Sequence, residues 1–248
     1  MKKMQNITII NDCRDVNAVG RQQAMVNSLF GSPSNFLGVN TDLEAAGNLI
    51  DTLNVYEDRP GIILVNVAPR NGKAKKWKNG TPFGWFKYKK VLVVSTIDGL
   101  TLSLVKKLQL AKHINVLELP EEHPLYAVSQ KSQFRSLQFS PKIAKLLSDG
   151  KKVKNTKLSI SEIPDPPKAI WWIDNFGNCK TTILEKEFGN TSHSKFYKHL
   201  KDVPDGEDAI TVGSSGLGKD RFLELVSQGG DFAEANSIST GSPIDNFI

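Results

Sequence analysis

Cysteine is nearly missing from this chain: Cys13 and Cys179 are the two among 248 residues. Two thiols cannot build a disulfide framework, and a structural zinc site needs four clustered ligands. Both cysteines read as small buried hydrophobes, and no metal is expected. No apolar run approaches eighteen residues, so no membrane span is expected either. The opening MKKMQNITIIND has lysines but no long apolar stretch and no small-residue cleavage site, which reads as the start of a cytoplasmic protein. Histidine is scarce. His113, His123, His193 and His199 are scattered and lie near loops or polar segments, and no nucleophile–His–acid arrangement emerges.

What the chain does have is an ordinary globular balance, 39% hydrophobic and 23% charged, with enough length for one large domain or two modest ones. Its net charge of +6 gathers in GKAKKWKNG with FKYKK (72–90) and in DGKKVKNTK (149–157). Basic runs can attract nucleic acid, but no RNP1 or zinc-finger motif accompanies them. They read as solvated loop lysines.

Strand and helix signals alternate over the first 150 residues. ITII, GIILVNVAP, KVLVVSTI and HINVLEL read as strands, and the β-branched density of KVLVVSTI suits a central parallel strand. VGRQQAMVNSLFG reads as a helix stopped by Gly31, and DLEAAGNLIDTL as one capped by Thr41 or Asp42. LTLSLVKKLQL and SPKIAKLLSDG complete the helices. This alternation predicts an α/β N-terminal domain, 1–155, with a mostly parallel sheet and flanking helices. The proline- and lysine-rich KKVKNTKLSISEIPDPPK (151–168) reads as a linker. AIWWID, KTTILE, DAITVGSS and FLELVS then predict a smaller all-β domain, 165–248.

Three patches carry chemistry. In ITIINDCRD, Asp12 follows the first strand, where open α/β sheets bind ligands, and a carboxylate there suits ribose hydroxyls. The plainer reading is a turn or helix cap. In WWIDNFGNCKTTI, Phe176 and Asn178 set an aromatic face beside an amide, which suits adenine; a hairpin turn is the alternative. In FLELVSQGGDFAE, Gly229 and Gly230 permit close approach of a ligand to the backbone, or simply a turn. GSSGLGKDR lacks P-loop spacing and reads as a flexible loop.

Taken in order, the motifs resemble the S-adenosylmethionine hydroxide adenosyltransferases, relatives of the fluorinases and chlorinases. NDCRDVNAVGRQQAM is similar to that family's TDFGxxDxYVGxMKG, NTDLEAA to its PxDxxAA, and IILVNVAPRNG to its VHLAVVDPGVG. NGTPFGWFKYKKVLVVSTIDGLTLSLV, IDNFGNCKTTI and FLELVSQGGDFAE match three further family blocks, so the likeness spans nearly the whole chain. It implies a larger α/β domain with a smaller barrel-like β domain, and a homotrimer whose sites lie between the large domain of one subunit and the small domain of the next. S-adenosylmethionine would be substrate or ligand, with no other cofactor. Asp12 matches the ribose-binding aspartate, Phe176 and Asn178 the adenine-binding pair, and Gly229 the backbone N–H at the base edge. Asn17 replaces the second acid of the opening motif.

The catalytic side departs from the pattern. The family's aspartate, arginine and histidine correspond to Ala68, Lys75 and Phe134, with Arg135 beside the last, and the PDNG block reads TIDG with Asp98 before the glycine. The implied reaction is attack of water on the ribose 5′ carbon, with methionine leaving from the sulfonium. Water needs a base or a charged clamp for this, and losing such a group costs about 10²–10⁴-fold. The resemblance thus implies a diverged S-adenosylmethionine-binding protein, in which water or another nucleophile would cleave the sulfonium at the ribose 5′ carbon to release adenosine and methionine. A catalytically silent nucleoside-binding or assembly relative is the rival. Nucleic acid binding rests on the lysines alone.

Overall fold

The computed structural model describes residues 5–68, 81–189, 195–245 and 247. The chain is a mixed α/β protein that divides into two compact units, Met1–Asp165 and Pro166–Ile248.

In the first unit, β1 (Asn6–Asn11) leads through α1 (Val16–Phe30) to β2 (Ser34–Gly38), and α2 (Asp42–Tyr56) leads to β3 (Gly61–Asn66). The hairpin β4 (Phe83–Tyr88) and β5 (Val91–Thr96) follows, then α3 (Ser103–Lys107) and β6 (His113–Leu117). Three short helices, α4 (Tyr126–Lys131), α5 (Arg135–Gln138) and α6 (Ser140–Ser148), precede β7 (Asn155–Ser159). The seven strands form one sheet in the order β2-β1-β3-β5-β4-β6-β7.

Sequence pattern explains the parallel half. β3 and β5 are apolar on both faces because helices cover both. Ile62 and Leu64 share a core with Ile7 and Ile9 of β1, Val26 and Phe30 of α1, and Ile143 of α6. On the other face Thr8 meets the Tyr56 hydroxyl of α2 at 2.7 Å. α1 starts at Asp15, whose carboxylate accepts from the Ala18 N–H, and ends at Gly31 in the left-handed region (φ 64°). α2 is capped by Thr41, the first of the two residues expected there.

Two expectations about this unit need correction. The sheet is not mostly parallel: β1–β2, β1–β3 and β3–β5 run parallel, whereas β4–β5, β4–β6 and β6–β7 run antiparallel. The antiparallel half begins at a two-residue turn, Lys89-Lys90, with Lys89 at φ 49°. No Gly, Asn or Asp marks that turn, so FKYKK looks like a basic loop when it is a strand end. Secondly, 151–168 is not all linker, because β7 lies inside it and pairs with β6. Exposed Thr156 and Lys157 sit on this edge strand, where polar residues discourage stray pairing.

In the second unit, β8 (Ile170–Ile173), β9 (Cys179–Leu184), β10 (Phe196–Tyr197), β11 (Asp208–Leu217) and β12 (Asp220–Ser227) precede α7 (Phe232–Ala235). The sheet order is β10-β11-β12-β9-β8. Every pairing is antiparallel except β10 with β11. Among the described residues no pairing joins β8 to β10, so the sheet is open where a barrel-like closure was expected. GSSGLGKDR is not a loop: it carries the end of β11, a turn at Gly218-Lys219 and the start of β12. Ile170, Cys179, Leu223, Leu225 and Phe232 form the core.

Candidate functional site

The parallel strands reverse direction of growth between β1 and β3. From β1 the chain crosses to β2 on one side, then returns to β3 on the other. Such a switch point opens a crevice at the carboxyl ends of the strands. Asp12 stands there, one residue past β1. Its N–H donates to the Asn66 carbonyl at the end of β3 (3.3 Å), and its Oδ2 accepts from the Ala68 N–H (3.1 Å). The Val67 N–H donates to Thr96 Oγ1 at the end of β5 (3.4 Å), so three strand ends are tied together. Asp12 is therefore neither a helix cap nor a local turn former; Asp15 caps α1, and Asp12 bonds to the segment that follows the neighbouring strand β3.

The residues flanking Asp12 are braced from beneath. Asn11 Oδ1 accepts from the Cys13 N–H (2.8 Å), an Asx turn that spans Asp12. Asn11 Nδ2 donates to Gln22 Oε1 (2.7 Å), and Gln22 Nε2 donates to the carbonyls of Cys13 and Ala18 (both 3.2 Å). Gln22 is fully buried on the stripe Ala18, Gln22, Val26 and Phe30 of α1. Sequence reading missed it. The signal was there, a polar residue at helical spacing among apolar ones.

The residues that the resemblance sets at the family's catalytic positions scatter differently. Ala68 joins Asp12 through its N–H and offers no acid or base. Phe134 precedes α5, and its ring lies 5.4 Å from the guanidinium carbon of Arg21 on α1. Arg21 is one turn from Asn17, which is exposed in the first turn of α1. Arg135 packs its guanidinium carbon 5.2 Å from the Phe83 ring, and burial lowers its pKa. Lys75 lies outside the described residues. Two other motifs do meet: Asp42 Oδ2 accepts from the Leu100 N–H (2.8 Å), closing NTDLEAA onto the IDGL turn. Gly99 there has φ +68°, and a Cβ would collide with that same Asp42 oxygen.

In the second unit Asp174 organises a tight turn. Its Oδ1 accepts from the N–H of Phe176 (2.8 Å) and of Asn178 (3.0 Å), and its Oδ2 accepts from Asn178 Nδ2 (3.0 Å). Phe176 is left 68% exposed. Gly177 has φ +80°, and a Cβ there would collide with the Asp231 carboxylate. The Ala233 N–H donates to the Gly177 carbonyl (3.1 Å), and Asp231 caps α7 through the Glu234 N–H (2.7 Å). These contacts bring the Phe176–Asn178 turn against the loop containing Gly229. Gly229 is exposed with φ +77°, and among the described residues its N–H makes no hydrogen bond. Beneath the turn, burial pushes the Cys179 thiol up to about 12, with Asp231, Asp174 and Glu224 adding to the effect.

Among the described residues no group of three or more His, Cys, Asp or Glu could hold a metal ion, and no helix is long and apolar enough to cross a membrane.

The class defined so far is a mixed α/β protein whose parallel strands have a topological switch point between β1 and β3. Among solved structures, the chain is similar to an uncharacterized conserved protein from Thermotoga maritima, with a TM-score of 0.70 over 95% of this chain and 97% of that one. It is also similar to a conserved hypothetical protein from Thermus thermophilus, with a TM-score of 0.62 over 96% of this chain and 97% of that one. Both are 17% identical to it, which establishes a shared fold alone. No protein-family model and no curated protein matches the chain.

Proposed function

We propose that the protein binds S-adenosylmethionine, or adenosine derived from it, as a diverged relative of the S-adenosylmethionine hydroxide adenosyltransferases. The supporting observation is the Asp12 carboxylate, tied between β1 and β3 at the switch point. A carboxylate has about four acceptor sites, so the bond from the Ala68 N–H does not exhaust its capacity for ribose hydroxyls. Phe176 offers a face for adenine, Asn178 an amide, and the Gly229 N–H a donor to the base edge. Asn17 lies on the exposed first turn of the helix that follows Asp12. The two groups sit on different units, and the homotrimer implied by the resemblance would supply one from each of two subunits. A cytoplasmic location belongs to the same proposal.

The reaction in this reading is displacement at the ribose 5′ carbon. Water forms the new C–O bond, the C–S bond breaks with its electron pair going to sulfur, and adenosine, methionine and a proton result. The sulfonium is already an activated leaving group, so positioning and desolvation of the water matter most. Ala68 and Phe134 supply no base, and they favour a second reading, a catalytically silent nucleoside-binding or assembly relative.

Incubating the purified protein with S-adenosylmethionine, with and without halide, separates the two. Adenosine and methionine, or a halo-adenosine, support turnover. Binding of adenosine without product supports the silent relative. Neither binding nor product at millimolar ligand would sink both. Light scattering at micromolar protein tests the trimer, and a monomer would oppose it.

A further inference from the structure

Gln22 is an anomaly of composition. α1 buries Ala18, Gln22, Val26 and Phe30 on one stripe, and Gln22 is fully buried there. An apolar residue of similar size would bury with no polar group to satisfy, whereas an amide in the interior is costly unless it is hydrogen-bonded. Here it is bonded through both ends. Its Oε1 accepts from Asn11 Nδ2 at 2.7 Å, and its Nε2 donates to the Cys13 and Ala18 carbonyls at 3.2 Å. Asn11 in turn takes the Cys13 N–H on its Oδ1 at 2.8 Å. The residues on both sides of Asp12 are thus fastened to one side chain of the following helix. Asp12 itself is fastened to the end of the neighbouring strand β3 by Asn66 and Ala68.

We infer that Gln22 is a positioning residue for Asp12: it holds the Asn11–Cys13 turn so that the Asp12 carboxylate meets the Ala68 N–H and faces the ribose. Gln22 touches no ligand in this arrangement and acts through Asp12. The inference rests on the functional reading for its ligand, but the geometry it asserts, the Asp12–Ala68 bond, can be read without any ligand.

The test uses Gln22→Met, which keeps side-chain length and removes both kinds of hydrogen bond. Adenosine affinity, measured by calorimetry, falls about tenfold, the weight of a hydrogen bond to a charged group. In an Asp12→Ala background the same change costs less than about twofold more, because the residues act as one unit. A merely structural role would give the full loss in both backgrounds, and that additivity would overturn the inference. Independently, the Ala68 amide exchanges with solvent about tenfold faster in Gln22→Met, as it does in Asp12→Ala, while Ile9 and Ile63 amides in the sheet keep their wild-type rates. An unchanged Ala68 rate would overturn it. Should the wild-type protein bind neither adenosine nor S-adenosylmethionine, the functional reading falls and the Ala68 amide alone decides the positioning claim. Should Gln22→Met fail to fold, Gln22→Glu, which keeps the volume and the acceptor for Asn11 while removing the donor, is read in the same way.

Discussion

The two candidate patches are each organised by an aspartate, and they are held in opposite ways. Asp174 collects its three hydrogen bonds within four residues of itself. Asp12 takes its carboxylate bond from Ala68, 56 residues away in sequence. The carboxylate bonds of the first turn need only its own sequence. The second needs β1 and β3 to be paired in register before its partner is in reach. Local geometry of the first kind tolerates drift elsewhere in the fold, while geometry of the second kind reports on the whole sheet.

The largest effect should come where the local turn meets the segment that begins α7. Gly177→Ala must place a Cβ against Asp231 at a positive φ, and unfolding in denaturant should show a loss of about 3 kcal/mol. A loss below about 1 kcal/mol would mean that the turn and the Gly229 loop are not locked together. Next comes Asp12→Ala, which should weaken adenosine binding by roughly tenfold to hundredfold, or about 1.5–3 kcal/mol, on calorimetric titration.

How legible this was in the sequence follows from the same contrast. Asp174, Asn178 and Gly177 read as a turn because Asn-Phe-Gly-Asn carries its chemistry locally, and the helix caps Thr41 and Gly31 were legible for the same reason. The strand β4 was not, since its turn to β5 uses Lys89 at positive φ without a glycine or asparagine to announce it. Nor was β7, whose polar edge residues resemble those of a linker. The Asp12–Ala68 bond joins residues from different motifs, so spacing alone held no hint of it; the likeness to a family placed both residues near the site without saying that they touch. Gln22 could have been noticed as a lone amide on an apolar stripe, but its partners lie on the preceding strand and loop.

Smaller effects sharpen the picture beneath the local turn. The Cys179 thiol has its pKa raised from the ordinary value near 9 to about 12 by burial and the surrounding carboxylates. A raised acid holds its proton longer in the folded than in the unfolded state. Its contribution is therefore fully present below pH 9 and is lost as pH rises from 9 towards 12. Stability should fall as pH rises through that window, and Cys179→Ala should flatten the slope in denaturant titrations. Equal slopes in the two proteins would mean that the thiol is not sequestered.

Phe176→Ala should change unfolding free energy least, by under about 0.5 kcal/mol, because the ring is mostly exposed. The same variant should still lose adenosine affinity severalfold if the ring stacks on the base. Lys75→Ala should alter adenosine binding less than Asp12→Ala does, since adenosine is neutral and the lysine matches the nucleophile side of the resembling family. The reverse ranking would show that the motifs had been aligned wrongly.

Calorimetric titration of adenosine into wild-type and Asp12→Ala protein tests the central claim most directly. The account predicts measurable binding by the wild type below millimolar ligand and a tenfold to hundredfold loss in the variant. Equal affinities, or no binding by the wild type at millimolar adenosine or S-adenosylmethionine, would contradict it, leaving Asp12 as a residue that joins two strands and nothing more.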